Sequence, residues 1–292
     1  MVRSNLKIKK TTKTADLKVV KDSAVKTTSY SDINLKAWRD YDHIKTDTLW
    51  EFPNRLKEGG HSNEYHGNYI PQIAQQIYER YTKKGDIVLD MFFGSGTSGI
   101  EAINMNRRCI GVELKEDLAE KVSEKFTPKQ LVTDVNIICA DSASELAKEK
   151  IKARLDIMGA KKAQLLMLHP PYDDIIKFSD KKEDLSNCSS TEEFYDLFEK
   201  VAKNGYDMLE KGRFACLIIG DKYANSQHIP LGFECMARMN KLGFITKAII
   251  IKDMQGNERA KGKTANLWRY RALAGGFYIF KHEYVMVFQK VG

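Results

Sequence analysis

A short segment after an apolar run combines a polar side chain, a rigid backbone and an aromatic ring: His169, Pro170, Pro171 and Tyr172. Consecutive prolines lack N–H donors and hold the chain extended, so the carbonyl groups beside them stay free to accept hydrogen bonds. A rigid acceptor next to an aromatic ring suits a planar base that carries an exocyclic NH2 group. The segment therefore predicts recognition of an amino group on a flat ring. A turn that only ends a strand is the alternative.

A glycine-rich turn forms a second candidate site in residues 86–99, whose sequence is Asp-Ile-Val-Leu-Asp-Met-Phe-Phe-Gly-Ser-Gly-Thr-Ser-Gly. Glycines between a strand and a helix let the backbone turn sharply and approach a ligand without a Cβ atom. Gly94, Gly96 and Gly99 have the spacing of the dinucleotide fingerprint. Glu113 ends the next apolar run, where a carboxylate would meet ribose hydroxyls. A nicotinamide enzyme, an S-adenosylmethionine enzyme and a turn that binds nothing remain open on this element alone.

Two acidic side chains narrow this choice. Asp90 stands just before the glycine turn, where its charge would repel a pyrophosphate but attract the ammonium and sulfonium groups of S-adenosylmethionine. Asp141, followed by Ser142, ends the third apolar run, where a side chain could meet an adenine ring. A helix N-cap for residues 144–150 is an equal alternative for Asp141.

Several segments resemble the amino-methylating DNA methyltransferases, which form N4-methylcytosine or N6-methyladenine. Residues 93–97, Phe-Gly-Ser-Gly-Thr, are similar to motif I of that family, and residues 169–172 are similar to motif IV. Residues 66–72, His-Gly-Asn-Tyr-Ile-Pro-Gln, resemble motif X. Gly220-Asp221 and residues 282–288 are also similar to members of the group. The resemblance covers about residues 48–290, and motif X precedes motif I while motif IV comes last, the order called gamma.

The resemblance implies S-adenosylmethionine as the cofactor and S-adenosylhomocysteine as its product. The residues expected to bind the cofactor follow three predicted strands: Asp90, Phe92, Gly94, Ser95, Gly96, Thr97, Glu113, Asp141 and Ser142. The resemblance also implies direct methyl transfer to the amino nitrogen of a base that leaves the double helix and stacks on Tyr172. His169 and the carbonyl of Pro170 would accept hydrogen bonds from the NH2 group, and Pro171 completes the catalytic segment.

His169 departs from the family pattern, in which Asp, Asn or Ser usually occupies this position. A neutral histidine accepts a hydrogen bond through one ring nitrogen, so the role survives, whereas a protonated ring would lose it. The departure also removes a clue to adenine or cytosine as the target base. No second metal ligand lies near His169 in the sequence, and we predict no metal site.

Short apolar runs alternating with amphipathic helices must position these residues. Seven runs after Gly85 are predicted strands: residues 86–90, 109–113, 135–140, 164–168, 214–219, 245–251 and 284–288. One helix is predicted to begin at Pro71, and several strands are almost continuously apolar, as buried parallel strands are. The pattern predicts an open α/β sheet with ligands at the C-terminal ends of strands. The resemblance implies the Rossmann-like class I methyltransferase fold, a mostly parallel seven-stranded sheet with helices on both faces.

Two long connections are predicted to contact DNA, near residues 173–190 and residues 252–281. The second mixes basic and aromatic residues, which suits phosphate contact with base stacking: Arg259, Lys261, Lys263, Trp268, Arg269, Tyr270 and Arg271. A solvated loop over the sheet edge is the alternative interpretation. We expect residues 1–35 to be a basic, flexible N-terminal extension and residues 36–292 to form the catalytic domain.

Charge and cysteine content indicate which partners and which cellular location to expect for the protein. Most of the net charge of +8 lies in residues 1–26, which hold eight Lys/Arg and two Asp/Glu, so the remainder is nearly neutral. Such a segment suits phosphate contact but equally describes a solvated tail. Five dispersed cysteines indicate a reduced, cytoplasmic protein, and no apolar run reaches the roughly 18 residues of a membrane span. We expect double-stranded DNA as the partner, no membrane, and a monomer or homodimer. A role in restriction–modification would add a cognate restriction endonuclease.

Three alternatives are compatible with these motifs. An RNA or tRNA amino-methyltransferase would use similar catalytic elements on another polynucleotide. A nicotinamide-dependent oxidoreductase would explain the glycines and Glu113 but leaves residues 169–172 without a role. A nucleic-acid-binding protein on a methyltransferase scaffold would bind DNA without turnover.

Overall fold

The computed structural model describes residues 28–61, 67–126, 134–254 and 265–292, and a large mixed sheet lies at its centre. The strands are β1 (Leu49–Trp50), β2 (Ile87–Asp90), β3 (Arg108–Glu113), β4 (Val135–Cys139), β5 (Ala163–Leu168), β6 (Leu209–Ile219), β7 (Lys222–Ala224), β8 (Gln227–Ile229), β9 (Phe244–Asp253) and β10 (His282–Lys290). The eight strands of the large sheet have the order β1-β9-β10-β6-β5-β2-β3-β4, whereas β7 and β8 form a separate hairpin. Within the large sheet β10 runs antiparallel to both of its neighbours, and the other pairs are parallel.

The predicted fold class is confirmed, but the sheet has eight strands rather than seven. The seven predicted runs correspond to β2 to β6, β9 and β10. The additional strand is β1, whose Leu49 and Trp50 pair with Ile251 and Lys252 of β9. Two residues are too few to show the alternation of a strand, which is why the sequence does not predict β1.

Helices cover both faces of the sheet, as expected. They are α1 (Pro71–Tyr81), α2 (Thr97–Asn104), α3 (Glu116–Lys125), α4 (Glu145–Ile157), α5 (Thr191–Met208), α6 (Leu231–Lys241) and α7 (Ala265–Gly275). Helices α1 to α3 share one core, in which Ile73 and Val122 belong with Val88 of β2. Helices α4 to α6 share the other, which contains Ile151 and Leu89. Within the described ranges, none of the helices has the length and apolar content needed to cross a bilayer.

The strand order reverses between β2 and β5, which are neighbours in the sheet. From β2 the chain continues outward through β3 to β4, whereas from β5 it continues in the opposite direction to β6. Asp90 is paired with Met167, so the segments that follow the two strands leave the sheet side by side. Open α/β sheets bind ligands at such a point. The topology therefore brings the glycine turn next to residues 169–172.

Within residues 28–35, Tyr30 packs against the sheet, although the sequence predicts a flexible extension over residues 1–35. Ser31 is fully buried, and the ring centroid of Tyr30 lies 4.8 Å from that of Phe214 on β6. These contacts make the described part of the extension a component of the folded body, because an aromatic ring so placed removes apolar surface from water. Residues 1–27 lie outside the described residues.

Candidate active site

The glycine turn between β2 and α2 contains two residues with a left-handed backbone, Gly94 (φ +53°) and Gly96 (φ +90°). Gly96 is the N-cap of α2. The amide of Phe93 donates to the carbonyl of Val112 at 3.0 Å, and the carbonyl of Phe93 accepts from the amide of Gly96 at 3.0 Å. These bonds fix the turn to β3, and its glycines adopt conformations that other residues rarely adopt.

The ring of Phe93 occupies the space above Gly111 on β3. A Cβ atom at Gly111 would lie 2.2 Å from both Cγ and Cδ2 of that ring, far inside van der Waals contact. A Cβ atom at Gly99 on α2 would lie 2.9 Å from Cζ of the same ring. Phe93 is thus held between β3 and α2, and this packing positions the glycine turn at the edge of the sheet.

A cleft of about 830 Å³ opens at the carboxyl ends of β2, β3, β4 and β5. Both candidate sites contribute to its lining. From the predicted cofactor-binding set come Phe92, Gly94, Thr97, Glu113, Asp141 and Ser142, and from the predicted catalytic set come His169, Pro170 and Pro171. Asp90, Ser95 and Gly96 are buried near the cleft without lining it. The two motifs therefore face one space.

The carboxylate of Asp90 is buried behind the turn, and each of its oxygens accepts a hydrogen bond from the protein. Oδ1 accepts from the amide of Phe92 at 2.9 Å, and Oδ2 accepts from the hydroxyl of Ser98 at 2.5 Å. Burial raises the pKa of Asp90 to about 6, and the bonds from Ser98 and Phe92 oppose that shift. Asp90 thus ties β2 to the first turn of α2. Its expected contact with a cationic cofactor group stays a prediction.

Glu113 brings a second carboxylate to the cleft at the end of β3. Its Oε2 accepts from the amide of Gly94 at 2.9 Å, and its Oε1 accepts from the amide of Lys115 at 2.9 Å. Burial raises the pKa of Glu113 to about 7, while the backbone bonds from Lys115 and Gly94 favour the charged form. The carboxylate is therefore oriented by the glycine turn itself.

Asp141 and Ser142 follow β4 and line the same cleft. Oδ1 of Asp141 accepts from the amide of Ala143 at 2.9 Å, and the hydroxyl of Ser142 donates to the carbonyl of Met91 at 2.6 Å. Ser144 is the N-cap of α4 and accepts from the amide of Ala147 at 3.1 Å. The capping role considered for Asp141 thus belongs to Ser144.

The imidazole of His169 packs against the edges of two tyrosine rings. Its centroid is 5.3 Å from that of Tyr69 and 5.8 Å from that of Tyr172, and both rings are edge-on. Burial lowers the pKa of His169 to about 4; the charge of Glu283 opposes this shift and the charges of Lys252 and Arg55 add to it. A neutral ring has one nitrogen that accepts a hydrogen bond, which the predicted role requires.

Part of the connection predicted to contact DNA also lines the cleft. Within residues 173–190, the cleft is lined by Phe178, Glu183, Asp184 and Leu185. The carboxylate of Asp184 accepts from the amide of Ser186 at 2.9 Å, which helps to hold the segment in place. A Cβ atom at Gly67 would lie 2.8 Å from the ring of Phe178, so this segment meets the residues before α1 across the cleft. The sequence offered no periodic signal for these contacts.

The second connection is described only in part. Arg259, Lys261 and Lys263 lie outside the described residues. Trp268, Arg269 and Arg271 lie on α7, where Arg269 and Arg271 are exposed and the guanidinium of Arg271 is 5.3 Å from the ring centroid of Trp268. Leu267, Tyr270 and Leu273 of the same helix are also exposed. Their contact with DNA stays a prediction.

Comparison with known proteins agrees with this geometry. A family model described as DNA methylase, of the N6 and N4 methyltransferase type, matches residues 4–124 and 163–292. The chain belongs to this family. Membership in a DNA methylase family supports the methyltransferase interpretation and neither the RNA-methylating nor the oxidoreductase alternative.

This chain is similar to two relatives, of which one carries a restriction-modification name and the other a methyltransferase name. It is 39% identical over 87 residues to the probable type III restriction-modification enzyme HindVI Mod subunit of Haemophilus influenzae, over 28% of this chain and 12% of that protein. It is 34% identical over 77 residues to the type II methyltransferase M.BglI of Bacillus subtilis, over 26% of this chain and 21% of that protein. The matched segments thus span about a fifth or less of either relative.

The fold is also similar to that of a solved structure, TrmN from Thermus thermophilus. The comparison gives a TM-score of 0.48 and 16% identity, over 77% of this chain and 50% of that chain.

Proposed function

We propose that this protein transfers a methyl group from S-adenosylmethionine to an exocyclic amino group of a base in double-stranded DNA. The target is N4 of cytosine or N6 of adenine. One observation carries the proposal: the glycine turn and residues 169–171 line a single cleft where the strand order reverses. Holding a donor and an acceptor side by side supplies much of the rate of such a transfer.

The cleft has the polar and apolar groups that an adenosyl cofactor requires. Both oxygens of Glu113 accept one backbone amide each, and each retains a lone pair for a ribose hydroxyl. Phe92, Phe178 and Leu185 supply apolar walls against which a purine ring would lie. When bound, S-adenosylmethionine supplies a methyl group on a positively charged sulfur. We assign the adenosine part to Glu113, Asp141 and Ser142, and the amino-acid part to Asp90 and residues 94–97.

The base would enter from the other side of the cleft. We assign its NH2 group to two acceptors, the neutral ring of His169 and the carbonyl of Pro170, which both lie at the lining. The Pro170-Pro171 pair holds these acceptors in a fixed geometry because its backbone has little freedom. Hydrogen bonds to both N–H groups leave the nitrogen lone pair available for attack, so no covalent intermediate with the protein is needed. Tyr172 would stack on the base that has left the helix.

DNA contact is assigned to α7 and to the basic segment that precedes it. The helix exposes both charged and apolar side chains, whereas the other helices bury an apolar face in the two cores. Guanidinium groups bind phosphates, and rings stack on unpaired bases, so this composition suits a nucleic-acid surface. Arg269 and Arg271 are the described residues that would neutralise phosphates.

A double variant, Arg269→Ala with Arg271→Ala, is expected to weaken DNA binding and to reduce its salt dependence. Two lost phosphate contacts should lower the slope of log Kd against log salt by about two. Fluorescence anisotropy of a labelled duplex at several salt concentrations measures this slope. The control is Lys152→Ala with Arg154→Ala on α4, which removes two exposed charges with the same spacing. Equal slopes for both double variants would contradict the assignment.

The function is tested by producing the protein in a host that lacks DNA methylation and sequencing its genomic DNA for modified bases. We expect one methylated base type in one sequence context, which also identifies the target atom. A second arm presents the same protein with transfer RNA and ribosomal RNA. Methylated RNA with unmodified DNA would overturn the proposal. Given the name of the Haemophilus influenzae relative, we extend the proposal to restriction–modification in the cytoplasm, with a cognate endonuclease as partner.

A further inference from the structure

Four side chains are linked in series by polar contacts, from the interior of the sheet to the cleft. Nζ of Lys252 on β9 lies 3.0 Å from Oε1 of Glu283 on β10, and these residues are 2% and 7% exposed. The hydroxyl of Tyr172 donates to Oε2 of Glu283 at 2.8 Å. The same hydroxyl oxygen lies 3.3 Å from Nε2 of His169. This series of contacts therefore ends at His169, which lines the cleft.

The direction of these hydrogen bonds follows from a count of protons. A phenol has one O–H, and a carboxylate can only accept, so the proton of Tyr172 is committed to Glu283. Burial raises the pKa of Tyr172, which keeps this proton in place. Toward His169 the phenol oxygen can then only accept, so Nε2 must carry the imidazole proton. A neutral imidazole has one N–H, which leaves the lone pair on Nδ1.

We propose that Lys252 and Glu283 are positioning residues that act through Tyr172 to fix the tautomer of His169, so that Nδ1 is the acceptor for the target amine. This inference rests on the proposed function and explains how a histidine replaces the shorter acceptors usual at this position. A carboxylate, amide or hydroxyl oxygen needs no such arrangement because it has no tautomer to be fixed and always carries a lone pair. A histidine offers an acceptor only when its proton is held on the other nitrogen.

Lys252 has a second consequence for the same ring. The charged groups that act on His169 come from three elements: Glu283 on β10, Lys252 on β9 and Arg55 in the segment before α1. Glu283 alone would favour a protonated imidazole, and Lys252 offsets this by pairing with it. The ion pair thus supplies a hydrogen-bond acceptor to Tyr172 without a net charge that would protonate His169. The register of the two strands, which pairs Lys252 with Glu283, makes this possible.

Nitrogen NMR of protein labelled in histidine tests the inference without any methyl transfer. His169→Asn identifies the signals of His169 by their loss. We expect the wild type to carry its proton on Nε2 and to resist protonation until well below neutral pH. In the NMR spectra Tyr172→Phe should give a mixture of tautomers. A separate single-turnover assay should show a methyl-transfer rate lowered by about tenfold. A wild-type proton on Nδ1 would overturn the inference.

Variants of the buried lysines separate a positioning role from a purely structural one. Lys252→Met should raise the pKa of His169 by about one unit, because Glu283 is then unpaired. The matched control is Lys290→Met, since Lys290 is also a buried lysine but lies on β10, where its Nζ donates to the carbonyls of Tyr206 and Leu209. No shift with Lys252→Met, or the same shift with Lys290→Met, would contradict the inference. Failure of the proposed function would instead appear as unmethylated DNA beside the expected NMR results.

Discussion

Replacing His169 with alanine is expected to lower the rate of methyl transfer by about 10²–10³-fold while leaving the affinity for S-adenosylmethionine unchanged. Alanine removes the neutral acceptor and leaves the carbonyl of Pro170 for both N–H groups of the base. The pKa of His169, lowered by burial to about 4, means that the wild-type ring accepts at neutral pH. Single-turnover rates with labelled cofactor measure the chemical step, and calorimetry measures the cofactor affinity.

Asparagine at the same position provides the control for His169→Ala. The amide oxygen of His169→Asn also accepts a hydrogen bond, so we expect its rate to stay within about tenfold of the wild type. The methyl-transfer rate of the asparagine variant should also no longer depend on Lys252 and Glu283, because an amide has no tautomer that must be fixed. An alanine variant as fast as the wild type would remove His169 from the reaction.

Replacing Gly111 with alanine is expected to destabilise the fold by about 1–3 kcal/mol and to abolish detectable cofactor binding. The new Cβ atom would lie 2.2 Å from the ring of Phe93, so that ring must move. Phe93 is bonded through its backbone to Val112 and Gly96, and its displacement would shift the glycine turn away from Glu113. Urea unfolding gives the free energy of unfolding, and cofactor titration gives the affinity.

A compensating change distinguishes this steric effect from a general loss of stability. Phe93→Ala removes the ring atoms that the new Cβ atom would meet, so adding Gly111→Ala to Phe93→Ala should cost little further stability or cofactor affinity. The two single changes should therefore not add, as expected for residues in contact. Strict additivity would show that Gly111 and Phe93 do not share the space that the packing implies.

The sequence predicts the parts of the fold that have a strong local pattern. Helix α1 begins at Pro71 and buries Ile73, Ile77 and Tyr78, as their spacing predicts. The near-continuous apolar runs become the central strands because both faces of the sheet are covered. Strand β1 leaves no such pattern in the sequence because it is only two residues long.

The sequence predicts those parts of the candidate site that lie in local motifs. It does not predict the contacts that depend on the register of neighbouring strands. The glycine turn and residues 169–171 share one cleft, as their positions after neighbouring strands imply. The pairing of Lys252 with Glu283 arises from the alignment of β9 and β10, which no spacing in the sequence reveals. Phe178 and Leu185 reach the cleft through an irregular segment braced by hydrogen bonds, so periodicity could not place them.

Strand β10 lies between β6 and β9 in the sheet but follows both of them in the chain, so the order of synthesis affects when the site is completed. Both neighbours precede β10 in the chain, so on the ribosome they emerge before the strand that joins them. Until β10 arrives, Tyr172 lacks the carboxylate of Glu283, and the facing edges of β6 and β9 are unpaired. In a growing chain, the half of the sheet assigned to the donor can thus form before the half assigned to the base is complete.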